Sequence, residues 1–285
     1  MNEFENCFSL IHNQVKLSID YNQFKNMLIE YAEQIMKNFL DGKANCICCI
    51  KHLEKGHKGF EMFDAETNTF TIAISEKVVT EIYDGTNPFK IFTLFHEISH
   101  VYDDFCIDNK DFRDANLRKI CIESGIMESM PTGEAFYLSN HKVMAIEAHA
   151  NLIGAQLTRD FYKKCNVKLN DTEHKALLFI EFFALQRLYN VKRNDRYLFD
   201  GSLYNDLELS LNKIVSEIEH RYPSFYNELK EYVGEENLFL DGEEQLSYFE
   251  SKLYSECAIF ELSDIISNPL FTSLVEDKTQ HRPHI

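Results

Sequence analysis

The stretch from Pro88 to Phe105 has little choice of conformation. Ile91, Leu94, Phe95, Ile98, Val101, Tyr102 and Phe105 recur at helical spacing, with no glycine and no proline after the first residue. So dense an apolar stripe has to be buried, and the rest of the chain must therefore wrap around this helix. Asn87-Pro88 offers a start, with Asn87 as cap and Pro88 at the first helical position. Inside the stretch lies His96-Glu97-Ile98-Ser99-His100. Two imidazoles four residues apart on a helix project from one face a turn apart, which suits two corners of a tetrahedral zinc site. Glu97 lies beside them, placed to act as general base on a zinc-activated water.

A zinc site needs a third protein ligand, and a catalytic one keeps a fourth position open. The segment Val143 to Leu157 is strongly helical and carries Glu147, with Asn151 four residues on and therefore on the same face. Small Ala148 and Ala150 allow a close approach to the first helix, and Asn151 can orient a ligating histidine through a hydrogen bond.

These two blocks resemble the ImmA/IrrE-like zinc peptidases, of the gluzincin type, in which HExxH is followed by a ligating glutamate. Phe92-Thr93-Leu94-Phe95-His96-Glu97-Ile98-Ser99-His100 is similar to the first family pattern, and Glu147-Ala148-His149-Ala150-Asn151 to its Glu-x-x-Ala-Asn block. The resemblance covers residues 45 to 160 at most. It implies zinc held by His96, His100 and Glu147, Glu97 as catalytic base, and Asn151 in support. Ser99 stands where the family has a glycine, and His149 where a second glutamate is common. The interval from His100 to Glu147 is also longer than the family pattern, so residues 106–139 read as an insertion. Carboxylates in or near it, Glu123, Glu128, Glu134, Asp103 and Asp104, are alternative third ligands, but only Glu147 comes with the supporting block. Two positions from Glu147, His149 falls about 200° around the helix, which makes it a packed or surface residue rather than a co-ligand. Tyr137, His141 and Tyr197 are candidates for stabilising an oxyanion.

The net charge of −17 gives no electrostatic footprint for DNA or RNA, so the expected partner is a protein or peptide substrate, with no direct nucleic-acid binding. No secretory leader and no apolar run long enough to span a membrane is recognisable, which predicts a cytoplasmic protein without membrane attachment. Its eight cysteines are scattered without a disulfide framework, as free thiols in a reducing compartment would be. Cys46-Ile47-Cys48-Cys49, followed by His52 and His57, lacks paired C-x₂-C spacing and reads as a buried strand rather than a second metal site.

The expected fold class is α+β and predominantly helical: a small N-terminal β-sheet packed on the HExxH helix, then a mostly helical C-terminal part. A capped helix over 20–41 precedes strands at Cys46 to Ile50, Phe60 to Phe63 and Thr69 to Ile74, the last two joined by a turn at 65–68. Phe70 to Ile74 is the strand nominated to pair with an extended substrate. Further helices are expected at about 112–123, 140–164, 171–192, 203–220, 223–233 and 243–267. The division is a zinc metallopeptidase domain over 1–195, with its insertion, and a helical region over 196–285, the break falling within 189–201. The expected function is zinc-dependent hydrolysis of peptide bonds, and the resemblance implies regulated cleavage of a specific protein such as a repressor or a stress or defence regulator. The alternatives are an oligopeptidase for short peptides and a non-enzymatic zinc-fold binding or toxin-immunity module. Residue patterns leave the oligomeric state and the substrate-binding residues open.

Overall fold

The structure is a computed structural model that describes residues 2–53, 58–108, 134–194 and 201–233, the side chains of 103–108, 134–147, 187–194, 201–208, 228 and 232–233 excepted. Contacts divide the chain into two compact units, Met1–Leu169 and Asn170–Ile285, a division that lies about a helix earlier than the 189–201 stretch.

In the first unit, α1 (Glu3–His12) and α2 (Tyr21–Leu40) each begin with a reciprocal cap. The Glu5 amide donates to Asn2 Oδ1 at 2.8 Å while Glu5 Oε2 accepts from the Asn2 amide at 2.8 Å. Asp20 and Gln23 repeat the arrangement at 2.9 and 3.0 Å. Each such box satisfies two amides that no helical carbonyl can reach, worth about 1 kcal/mol. The cap on α2 is the expected one; α1 was not anticipated, although Asn-x-x-Glu is its signature.

Three strands follow: β1 (Asn45–Lys51), β2 (Gly59–Asp64) and β3 (Thr69–Ser75). The order is β1-β3-β2, with β3 parallel to β1 and antiparallel to β2. All three strands lie where the alternating and apolar runs place them. The nominated substrate strand does not: β3 is the central strand and both its edges are already hydrogen-bonded, so the strand with an edge not paired by any described residue next to the motif helix is β2. Nothing in a single strand's composition distinguishes centre from edge, and the parallel pairing of β1 to β3 across the hairpin decided it.

The Cys46 segment is the strand expected, with Cys46 and Cys48 facing the core beside Phe70, Ile72 and Ile74. Burial pushes the Cys48 thiol up to about 12, with Cys49 and Glu33 adding repulsion, and it raises Cys46 as well. Burial likewise lifts Cys165 to about 12 and raises Tyr31. These groups ordinarily ionise near 8.5 for thiols and 10 for phenols. Below that range both folded and unfolded chains are protonated and stability is full. Above it the unfolded chain releases protons first, so stability is lost as pH rises from about 9 towards 12. Urea unfolding midpoints at intervals between pH 8 and 11 should fall steadily over that window; a flat profile would show that the thiols are not protected by burial.

A short helix, α3 (Glu76–Tyr83), and a 3-10 turn, Pro88–Lys90, lead into α4 (Ile91–Asp108). The α3 helix was not anticipated, and the start of α4 also differs. Pro88 opens the 3-10 turn, and the Asn87 side chain makes no capping hydrogen bond. Entry is held instead by Lys90, only 5% exposed, whose ammonium pairs with Glu81 of α3. Removing one partner of a buried pair costs about 3–5 kcal/mol, and the 24% exposure of Glu81 places this pair near the lower end.

The helix α5 (Glu134–Lys164) packs on α4 and starts earlier than the expected residue 140. Its C-terminal half is anchored by Phe161, whose ring lies 5.8 Å from Phe4, 4.7 Å from Phe8, 5.5 Å from Tyr31 and 5.3 Å from Phe95. One aromatic thus ties α5 to α1, α2 and α4, and edge-to-face or tilted ring pairs of this kind each add about 0.5–1.5 kcal/mol beyond area burial.

The second unit contains α6 (Asp171–Asn194), α7 (Gly201–Arg221) and α8 (Pro223–Val233). Leu177, Leu178, Phe182 and Phe183 of α6, Leu211, Val215 and Ile218 of α7, and Phe225 and Leu229 of α8 are buried. His174 Nδ1 lies 2.9 Å from the Tyr222 hydroxyl, with Glu217 at 3.4 Å from its Nε2, which ties the start of α6 to the end of α7. The architecture is α+β and mostly helical, as expected. No helix among the described residues is long and apolar enough to cross a membrane. The expected helices at 112–123 and 243–267, and His57, lie outside the described residues.

Candidate metal centre

Ile91, Leu94, Phe95, Ile98 and Val101 of the α4 stripe are buried as their spacing requires, and the motif residues are drawn in with them: His96 is 2% and Glu97 3% exposed, with His100 partly exposed. Two polar residues inside so apolar a helix need local compensation. Ser99 finds it by donating to the Phe95 carbonyl one turn back, at 2.6 Å.

The histidines converge. Their Nε2 atoms are 3.1 Å apart, with the ring planes perpendicular at 90° and the ring centroids at 4.7 Å. Two nitrogens held on a tetrahedral ion by bonds of about 2.05 Å stand about 3.3 Å apart. The observed spacing is that of two donors aimed at one point, and it is set by α-helical geometry together with the packing around each ring.

That packing comes from two sides. On one, α5 crosses α4 at Gly154: a Cβ there would stand 3.2 Å from both the amide nitrogen and the Cα of His96, and 3.3 Å from the Phe92 ring. A side chain at this position would push the two backbones apart by a few tenths of an ångström, so glycine permits the closest approach. Asn151, Gly154, Thr158, Phe161 and Cys165 recur at alternating steps of three and four and are all buried, so they form the seam of α5 in this core. The Thr158 hydroxyl is satisfied within the helix, donating to the Gly154 carbonyl at 2.7 Å. Asn151 differs: it is 2% exposed and its buried Oδ1 has no hydrogen-bond partner among the described residues. Leaving such an acceptor unpaired costs about 1–3 kcal/mol, which is the mark of a group kept for a purpose other than packing. Ala148 and Ala150, the small residues expected at this contact, are fully buried, and His149 is buried as well, a packed residue.

On the other side, Gly59 at the start of β2 lies against Glu97. A Cβ at position 59 would stand 2.6 Å from Glu97 Cγ and 2.7 Å from its Cδ. Sequence inspection missed this contact, because an isolated glycine at a strand start has no partner until β2 is known to be the strand against α4. Gly154 had a partial signal in the run of small residues around it.

His96 and His100 are therefore brought together, and Glu97, the next residue along α4 from His96, lies against Gly59. Glu147 lies in α5 one turn before Asn151, along the same seam, and its side chain is outside the described set, as are those of Asp103, Asp104, Glu134, Tyr137 and His141. Glu123, Glu128 and Tyr197 lie wholly outside it. Among the described residues no group of three His, Cys, Asp or Glu side chains is gathered for a metal. The two-histidine donor set nonetheless suits zinc, to which neutral imidazole nitrogen is a preferred ligand. No family model, no curated protein and no solved structure matches the chain.

Proposed function

We propose that the chain is a zinc-dependent endopeptidase, with His96, His100 and Glu147 as zinc ligands and Glu97 as general base. The observation that carries this reading is the 3.1 Å approach of the two Nε2 atoms with Glu97 as the adjoining residue. The residue next to the pair in sequence is a carboxylate, 3% exposed and lying against the first residue of β2, where a segment added to that strand would meet it. A zinc ion bound there supplies Lewis acidity, acidifying a water and polarising a substrate carbonyl.

The chain's own residues do the rest. The Glu97 carboxylate accepts the proton that the attacking water loses and then delivers it to the departing amine nitrogen. Its place against Gly59 puts that proton transfer beside the first residue of β2. The amides and carbonyls on the outer edge of β2 can align an extended segment by strand addition, so that backbone geometry rather than side-chain identity registers the scissile bond. Asn151 Oδ1 serves as an acceptor that steadies a ligating imidazole.

The resemblance of the two motif blocks to ImmA/IrrE-like peptidases directs the substrate reading to a specific cytoplasmic regulator, cut on demand. The −17 net charge supports a protein substrate over any role on DNA. The test is incubation of zinc-loaded protein with a mixed peptide library and a cell extract, reading new termini by mass spectrometry. New termini that vanish on chelation and return with zinc are expected. A zinc-loaded protein that leaves both untouched would overturn the proposal.

A further inference from the structure

We propose that Gly59 is a positioning residue for Glu97: the missing Cβ on β2 is the space that the base occupies. The inference rests on the peptidase reading for its functional consequence, but the geometric claim stands on the fold alone. Gly59 is buried at the first position of an edge strand, and its backbone φ is not among the positive values seen at Gly42 and Gly85. Conformation therefore does not demand glycine here. Space does: at Gly59 a Cβ would fall 2.6–2.7 Å from two carbons of Glu97, closer than non-bonded carbons approach. At Gly42 the situation is reversed, with φ +69° and no atom within 4 Å of a Cβ.

Glu97 cannot easily retreat from a new methyl group. It is 3% exposed on a helix whose neighbouring turn is fixed by His96 against Gly154. Position 59 is also fixed, because Gly59 is paired to Ile74 and the preceding Lys58 carbonyl accepts from the Ser75 amide at 2.7 Å. A Cβ must then turn the Glu97 side chain about χ1 or χ2, moving the carboxylate from its place against β2. The strand that would hold substrate and the base that would cut it are thus set by one contact, which ties the register of a bound segment to the position of the proton acceptor.

A double-mutant cycle tests this without any substrate. Gly59→Ala in the parent should lower the melting temperature by roughly 3–8 °C. In a Glu97→Ala background, where the clashing atoms are gone, the same change should be nearly silent. Equal losses in both backgrounds would overturn the proposal, since they would mean that glycine serves the strand and not the base. If Gly59→Ala alone fails to fold, recovery of folding in the double variant supports the proposal, and failure of the double variant where Glu97→Ala folds overturns it. Zinc content of Gly59→Ala, measured by plasma mass spectrometry, should equal that of the parent. On a quenched peptide from the mixed library, kcat should fall by about 10²-fold with KM within about twofold, since a misplaced catalytic group costs rate more than binding. Leu209→Ala, an exposed position on α7 outside the proposed site, should leave all three quantities unchanged. A parent that cuts nothing while the stability cycle holds would sink the peptidase reading and leave the positioning of Glu97 intact.

Discussion

Replacing Glu97 with glutamine is expected to reduce peptide cleavage by about 10²–10⁴-fold while zinc content remains that of the parent. The glutamine side chain has the volume and shape of glutamate, so the contact with Gly59 survives and no cavity opens in the buried wall of α4. What changes is basicity: an amide oxygen does not take up a proton from water near neutral pH. The side chain keeps its volume and place in the wall of α4, so the melting temperature should stay within a few degrees of the parent while activity falls. Metal analysis, thermal melts and the library digest on one preparation supply the three readings. Retained cleavage would exclude Glu97 as base. An unchanged biological effect with cleavage gone would transfer the weight to a zinc-fold binding module in which hydrolysis is irrelevant.

How far the residues alone reach can be judged element by element. The helix through His96 was legible because its apolar spacing and its lack of glycine agree, although its start was not, since Pro88 opens a 3-10 turn and the α-helix begins at Ile91. The three strands were legible for the same reason: alternation and β-branched or small apolar residues, with a turn between β2 and β3. Their order was not, because strand order depends on which edges meet in space. The consequence was substantial, since the substrate edge moved from Phe70–Ile74 to Gly59–Asp64. The contacts that shape the site were least legible of all. Gly59 and Gly154 act through an atom they do not have, and a single chain offers no pattern that marks such an absence until the neighbouring backbone is placed. The Lys90–Glu81 pair that holds the entry to α4 was hidden in the same way, its partners lying on separate helices.

Glu147→Ala is expected to weaken zinc binding by several orders of magnitude, and Asn151→Ala by about 10–100-fold. Phe161 is fixed by four ring contacts, Gly154 two turns earlier touches the His96 backbone, and Asn151 a turn before that presents a buried oxygen with no hydrogen-bond partner among the described residues. One further step of four along the same seam is Glu147. Side chains on a helix lean toward its N-terminus, so each seam position covers the turn before it. By spacing alone, the position one turn before Asn151 is a carboxylate, the donor type that would complete a two-histidine zinc set. Of the alternative carboxylates, those at 103 and 104 lie in α4 and the one at 134 opens α5, while 123 and 128 lie outside the described residues. Competition with a chromophoric chelator gives the affinity of each variant directly, and it requires no knowledge of the substrate. The expected order is parent, then Asn151→Ala, then Glu147→Ala, with His96→Ala as weak as the last. If Glu147→Ala instead binds zinc as tightly as the parent, the third ligand lies elsewhere, and the buried oxygen of Asn151 then supports the histidine pair without a glutamate beside it.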